Sequence, residues 1–348
     1  ARVVGRSWFL CAIGCIPPGC RRSVVMTELV GVASPALPSA EELEQIAGIR
    51  AECSADIAAL TCKAEDVVGD LRICRFIRSR HGDVKEATEW FRDFLKWRME
   101  SGMDTHRQEV VGRSPTDLLE WYDKRRNPFL RMCPFAGRND EGSILWFIHP
   151  GLNDPVNFVQ HRQVSKDEDA KMINLVLEWT MWYIDVLSRR EERMVYCVKV
   201  ADFKGLGGGG RKLPIFVPEY KAWFQNILQS MQKHYCEHDT LFLVLNAPWI
   251  ARTMFGIMKL LLTKRQVSKF RVLGDASTAE VRGALDQMVP QRLLHVEYGG
   301  PVQRLVGFLP MDSPEAIEKW YQMRHTAAVE YAPPTPTDEH GDVVEVSV

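Results

Sequence analysis

With 348 residues, 46% of them hydrophobic, the chain has apolar material for a sizeable core and room for one large domain plus a smaller unit. Its 44 basic and 45 acidic residues leave a formal charge of -1, and no basic run is interleaved with base-stacking aromatics, which excludes a dedicated nucleic-acid binder. Nine cysteines, at 11, 15, 20, 53, 62, 74, 133, 197 and 236, form no Cys-x-x-Cys pair and no zinc spacing, so they read as reduced thiols of a cytoplasmic protein.

The chain opens with Ala1, and a short apolar run from Trp8 to Ile16 lies behind Arg2 and Arg6 in the manner of a signal peptide. Pro17, Pro18, Arg21 and Arg22 then stand where small residues should mark cleavage, so we expect Met26 to be the true start and residues 1–38 to be disordered. Ser39 with Glu42 makes a capping box, and helical periodicity runs from there to about Leu60. A second helix, Asp70 to Arg80, sets Arg72, Arg75 and Arg78 opposite Ile73, Phe76 and Ile77, and His81-Gly82 stops it. Asp83 caps a third helix through Trp90, Phe91, Phe94, Leu95 and Trp97, ending at Ser101-Gly102. These helices form an N-terminal unit over 39–105. Basic clusters occur at Arg72, Arg75, Arg78 and Arg80, at Lys124, Arg125 and Arg126, and at Lys264, Arg265, Lys269 and Arg271. Each reads first as a solvated face, and together they could favour an anionic membrane surface.

After a Pro- and Arg-rich connection the pattern alternates. Strands are expected at 144–148, 195–203, 241–245 and 270–273, and helices at 167–187, 220–235, 249–262 and 278–287. The alternation predicts an α/β domain over 115–300 with a mixed, largely parallel sheet and crossover helices. Residues 301–348 are expected to hold a short helix capped by Ser313 and a disordered acidic tail.

The segment from Trp249 to Leu262 is apolar on nearly every face, its charges being Arg252 and Lys259, and it follows a break at Asn246-Ala247-Pro248. At about 1.5 Å per residue it would be too short to span a bilayer. It fits either an ordinary core helix or a lid over an apolar ligand, with Met254 and Met258 as adaptable surface.

Leu71-Arg-Ile-Cys-Arg-Phe-Ile-Arg-Ser-Arg-His-Gly-Asp-Val84 and Phe94-Leu-Lys-Trp-Arg98, followed by Val200-Ala-Asp-Phe-Lys-Gly205, Asn246-Ala-Pro-Trp249, Lys269-Phe-Arg-Val-Leu-Gly274 and Glu297-Tyr-Gly-Gly300, resemble the CRAL-TRIO family over roughly residues 40–300. Within it the chain looks like the fungal phosphatidylinositol/phosphatidylcholine transfer type. The resemblance implies a helical N-terminal unit followed by a lipid-binding domain. In that domain a mixed, largely parallel sheet floors an apolar pocket, and a gate helix closes it. It assigns Trp249, Met254, Phe255, Met258 and Leu261 to gate and pocket. Phosphatidylinositol-transfer members hold the inositol phosphate with an Arg at the end of the second helix, a Glu before the third strand and a Lys thirty-two residues later. Arg80, Glu237 and Lys269 match, and two cations with one carboxylate suit a phosphodiester beside hydroxyls. The hydroxyl-bearing phosphatidylcholine site matches poorly, with Phe135, Trp146, Cys197 and Lys199 at its positions as pocket wall.

Two enzymatic patterns compete. His234-Tyr-Cys-Glu-His238 has the order of an inverted zinc-peptidase motif, but it falls at a helix end with no third ligand placed. Gly205-Leu-Gly-Gly-Gly-Gly210 satisfies a dinucleotide fingerprint, yet Pro214 and Pro218 separate it from the next helix, so a loop is the better reading. The expectation is a non-enzymatic monomer that binds one phospholipid, phosphatidylinositol first, and visits membranes peripherally and transiently. The bound lipid is its ligand, and no cofactor or metal is implied. A tocopherol, retinoid or sterol-like ligand, or a lipid-sensing adaptor role, is the alternative. Lys259, Lys264 and Arg265 would meet anionic headgroups of the membrane.

Overall fold

A computed structural model of the chain describes residues 35–125, 130, 132–160, 165–248, 264–295 and 298–301. The gate segment 249–262, with Trp249, Met254, Phe255, Met258, Lys259 and Leu261, lies outside the described residues, as do 1–34, the Ser313 helix and the acidic tail.

Residues 35–38, ahead of the capping box, are held by the fold. The Pro35 carbonyl accepts from Met194 N–H at 2.7 Å, and those of Ala36 and Leu37 accept from Arg78 at 3.0 and 3.4 Å, which ties down a segment expected to be disordered. The capping box is formed: Ser39 Oγ accepts from Glu42 N at 3.2 Å and Glu42 Oε2 accepts from Ser39 N at 2.9 Å. The helix behind it divides into α1 (Ala40–Glu52) and α2 (Ser54–Ala59), because Cys53 leaves helical geometry at φ -95 and ψ 12. There follow α3 (Glu65–Val68), α4 (Asp70–Ser79), α5 (Val84–Ser101) and α6 (Met103–His106). Gly102 ends α5 at φ 65, a left-handed position where a side chain would be strained. The connection beyond also holds α7 (Pro115–Arg125), which sequence periodicity did not single out. Ser114 Oγ caps it through Asp117 N, Pro115 opens it, and Leu118, Trp121 and Tyr122 bury its inner face.

The sheet, in the order β1-β2-β3-β4-β5, comprises Met132–Cys133, Ile144–Ile148, Cys197–Asp202, Asp239–Leu245 and Phe270–Val272. β1 runs antiparallel to β2 and the other neighbours are parallel, so the sheet is mixed and largely parallel as expected. Between β2 and β3 come α8 (Pro155–Gln160) and α9 (Lys166–Arg190), and α10 (Pro218–Lys233) crosses from β3 to β4. Trp146, Lys199, Phe242 and Phe270 are register neighbours across four strands and form one row on one face. Trp146 and Lys199 are buried while Phe242 and Phe270 are half-buried, with their rings stacked at 4.7 Å.

Buried charge joins the N-terminal helices to α9. Arg98 of α5 reaches Asp104 at 2.7 Å and Glu178 of α9 at 2.7 Å, and Arg107 reaches Asp66 at 2.6 Å and Glu178 at 3.4 Å. The carboxylates are placed where each guanidinium needs a partner, which a buried ion demands. The arginines of α4 depart from the expected solvated face: Arg72, Arg75 and Arg80 are buried, and Arg78 is held by both oxygens of Glu42 at 2.7 and 2.9 Å.

Candidate functional site

α10 ends at Lys233 and β4 begins at Asp239, so the chain turns within residues 234–238. Glu237 sits there at φ 54, a left-handed conformation that costs a residue with a side chain about 1 kcal/mol or more and must be held from outside. α4 supplies the hold. Arg75 donates to Glu237 O at 2.5 Å and to Val195 O at 2.8 Å, and Arg72 donates to His234 O. The Arg72 guanidinium lies 4.5 Å over the Phe94 ring, and the His234 ring stacks on Trp97 at 4.0 Å. The arginine row that looked like a solvated face is therefore the brace of this turn.

The turn aims the Glu237 carboxylate at the helix Lys264–Lys269 that precedes β5. Arg265 grips it bidentately, Nε to Oε1 at 2.7 Å and Nη2 to Oε2 at 2.8 Å, and Lys269 Nζ lies 2.9 Å from Oε1. Lys269 also donates to Asp239 O at 2.7 Å. Burial works to raise the Glu237 carboxyl, but the Arg265 and Lys269 bonds overcome it and hold it below the usual carboxylate range. Burial likewise opposes the Lys269 charge, and Asp239 and Glu237 reverse that, leaving its ammonium more basic than usual. Arg80, at the C-terminus of α4, lies over Trp90 at 3.6 Å and donates Nε to Ser79 and Nη1 to Glu86, each at 3.2 Å. Its Nη2 has no partner among the described residues.

One cavity of about 70 Å³ brings Arg80, Glu237 and Lys269 together, and Arg265 and Asp239 line it too. Leu228 and Met231 of α10 with Phe242 and Phe270 of the sheet line the same cavity. Its volume is far below the ~300 Å³ of a pocket that encloses a whole small ligand, so it can take part of a ligand rather than the whole of one. Arg265, expected at a membrane surface, instead belongs to this site, because its guanidinium fork matches the Glu237 carboxylate. Asp239 and Arg75 were also missed. Their signal in the sequence is slight, since only the fold brings α4, the turn and the pre-β5 helix together.

At the other end of the parallel strands, Asp202 gathers the remaining motif residues. Its carboxylate accepts from Asn246 Nδ2 at 2.7 Å and from Tyr298 Oη at 2.6 Å, while Asn246 Oδ1 accepts from Ala276 N at 2.9 Å. Asn246 itself is left-handed, at φ 52, which an Asn tolerates better than most residues.

Residues 130–300 match the family described as the CRAL/TRIO domain. The chain carries a CRAL/TRIO domain. Over 237 residues it is 24% identical to a CRAL-TRIO domain-containing protein of Saccharomyces cerevisiae, covering 66% of this chain and 70% of that one. It is 24% identical over 238 residues to the Sec14 cytosolic factor of Schizosaccharomyces pombe, covering 67% and 75%. A phosphatidylinositol/phosphatidylcholine transfer protein of Arabidopsis thaliana is 21% identical over 212 residues, covering 61% of this chain and 36% of that protein.

Within the CRAL/TRIO domain, none of the four pocket-wall residues lines the charged cavity, although Lys199 Nζ comes within 3.9 Å of the cavity-lining Asp239. Phe135 stands edge-on to Trp179 and Tyr183 of α9 at 6.0 and 5.9 Å, and Trp146 and Cys197 share that core. Burial pushes the Cys197 thiol up to about 12. Lys199, wholly buried, has its ammonium 5.1 Å from the Trp146 ring and 2.5 Å from His238 Nε2. His238 Nδ1 donates to Tyr235 O at 2.6 Å, which leaves Nε2 as the acceptor for Lys199. Burial, then Lys199, brings the imidazole down to about 3, so it stays neutral. The two histidines of His234-Tyr-Cys-Glu-His238 thus face different partners, Trp97 and Lys199. The glycine loop 205–210 is closed by Arg211, which donates to Gly205 O and Gly208 O, each at 2.9 Å. Among the described residues, no helix is long and apolar enough to cross a membrane.

Proposed function

We propose that the chain binds a single phospholipid, phosphatidylinositol, and transfers it between membranes or presents it to lipid-modifying enzymes. The observation that carries this reading is the mixed lining of the cavity, in which Arg80, Glu237, Arg265 and Lys269 share one space with Leu228, Met231, Phe242 and Phe270. A phosphodiester needs cations, inositol hydroxyls need acceptors, and the acyl ends need the apolar sheet face onto which Phe242 and Phe270 open. The relatives whose names include phosphatidylinositol transfer or Sec14 factor support the same reading.

No covalent chemistry is required. Extracting a diacyl lipid exposes on the order of 30 methylenes, about 25 kcal/mol at ~0.8 per CH₂, so exchange takes place at a membrane rather than through water. Peripheral, transient membrane contact follows from that requirement. The test is lipid extraction and native mass spectrometry of protein purified from a eukaryotic host, beside an Arg80→Ala variant. Phosphatidylinositol is expected with the wild type and much reduced in the variant. A neutral isoprenoid or sterol carried equally by both would overturn the reading and move the function to another hydrophobic ligand.

A further inference from the structure

The donor inventory of the cavity separates its two family-matched cations from each other. Lys269 has three ammonium hydrogens, and three acceptors surround it: Asp239 O at 2.7 Å, Glu237 Oε1 at 2.9 Å and Asp239 Oδ1 at 3.4 Å. Its side chain is 3% exposed. It has nothing left to offer an entering anion without abandoning a buried carboxylate, and an abandoned buried charge is costly. Glu237 is nearly saturated as well, since a carboxylate has about four lone-pair positions and Arg265 and Lys269 occupy three.

Arg265 is placed differently. Its side chain is 18% exposed, and of its five N–H donors only one on Nε and one on Nη2 are used, both on Glu237. Both hydrogens of Nη1 and the second of Nη2 have no partner among the described residues. The grip on Glu237 fixes the plane of the fork, so these donors are pre-aimed rather than free to wander. Arg80 lines the same cavity, with no partner for its Nη2 among the described residues and its guanidinium stacked on Trp90.

We infer that Arg265, with Arg80, is the group that touches the phosphate of the bound lipid headgroup, and that Lys269 is a positioning residue that ties Glu237 to Asp239. This rests on the phospholipid reading and refines it. Glu237 serves chiefly to orient Arg265, keeping one lone pair for a headgroup hydroxyl.

The test is equilibrium uptake of phosphatidylinositol from phosphatidylcholine vesicles doped with it, by wild type, Arg265→Ala, Arg265→Lys and Glu237→Gln, with the thermal midpoint of each. The amide introduced by Glu237→Gln keeps one acceptor for Arg265 but not the bidentate grip that orients its fork, so this variant is expected to lose uptake in part, and less than Arg265→Ala. Arg265→Ala is expected to lose roughly tenfold or more, the worth of charge-assisted bonds to phosphate. Arg265→Lys keeps the charge without the fork, folds on the same ion pair, and is expected to fall between. Uptake by Arg265→Ala equal to wild type would overturn the inference. So would an equal loss in Arg265→Ala and Glu237→Gln, which would make Arg265 a partner of Glu237 and nothing more. A wild type that takes up no phosphatidylinositol would instead bring down the phospholipid reading itself.

Discussion

His234 and His238 lie four residues apart in one turn, and both are held neutral by burial, each brought down to about 3. An unfolded histidine near 6.5 binds a proton that the fold refuses. Stability is therefore fully present above pH ~6.5 and drains away as pH falls from there toward about 3, each site adding up to about 1.4 kcal/mol per pH unit. His234→Phe should keep the stack on Trp97 while removing one titrating group. Urea unfolding followed from about pH 7 to pH 5 is expected to show a shallower loss of stability in the variant by up to that amount per unit. An unchanged slope would mean that His234 takes up its proton without unfolding. Glu42 acts in the same direction at lower pH: the Arg78 bond brings it to about 2, so its contribution is present above pH ~4.5 and is lost as pH falls toward 2.

At the scale of elements, the helices before the sheet are bound to it by charge as much as by apolar contact. Glu178 of α9 receives Arg98 from α5 and Arg107 from the turn after α6, all three almost without solvent contact. Removing the shared carboxylate charge leaves two buried guanidinium groups with one counter-ion fewer. Glu178→Gln is expected to cost about 3–5 kcal/mol, read as a fall in the denaturant midpoint at unchanged slope. A cost below about 1 kcal/mol would show that Asp66 and Asp104 suffice. The same logic explains α4: its apolar face packs Ile73, Phe76 and Ile77 into the helical core, while Arg72 and Arg75 on the opposite side are engaged by the backbone carbonyls of the 234–237 turn. Helical periodicity identifies such a face as polar. It has no means of saying that the polar face is buried.

For the whole molecule, the proposed binding of lipid at the cavity couples ligand to stability. A ligand that binds only the fold stabilises it by about 2.7 kcal/mol at a hundredfold excess over its Kd. Phosphatidylinositol-bearing vesicles are therefore expected to raise the thermal midpoint by several degrees, Arg80→Ala is expected to respond less, and vesicles of phosphatidylcholine alone should not reproduce the shift. A midpoint indifferent to phosphatidylinositol would argue that the apolar sheet face, and not the charged wall, selects the ligand.

The sequence by itself determined the elements whose signals are local. The capping box at Ser39, the stop at Gly102, the strands at 144–148 and 241–245 and their parallel arrangement all follow from neighbours within a few residues or from the alternation of periods. Motif order further identified Arg80, Glu237 and Lys269, and one cavity contains all three. Only the tertiary structure decided which partners those groups have. Whether a cation faces a ligand or a neighbouring carboxylate depends on how many acceptors the fold brings within hydrogen-bond reach. Arg75, Asp239 and Arg265 reach Glu237 or Lys269 from α4, β4 and the helix before β5, each for a different local reason. α7 stayed hidden for the opposite cause: its cap and apolar face are local, but a proline and an arginine-rich tail dominate the pattern around them. Charge identity is written along the chain, while charge partnership is a property of three dimensions, because burial penalises an ion according to what surrounds it and not according to what precedes it.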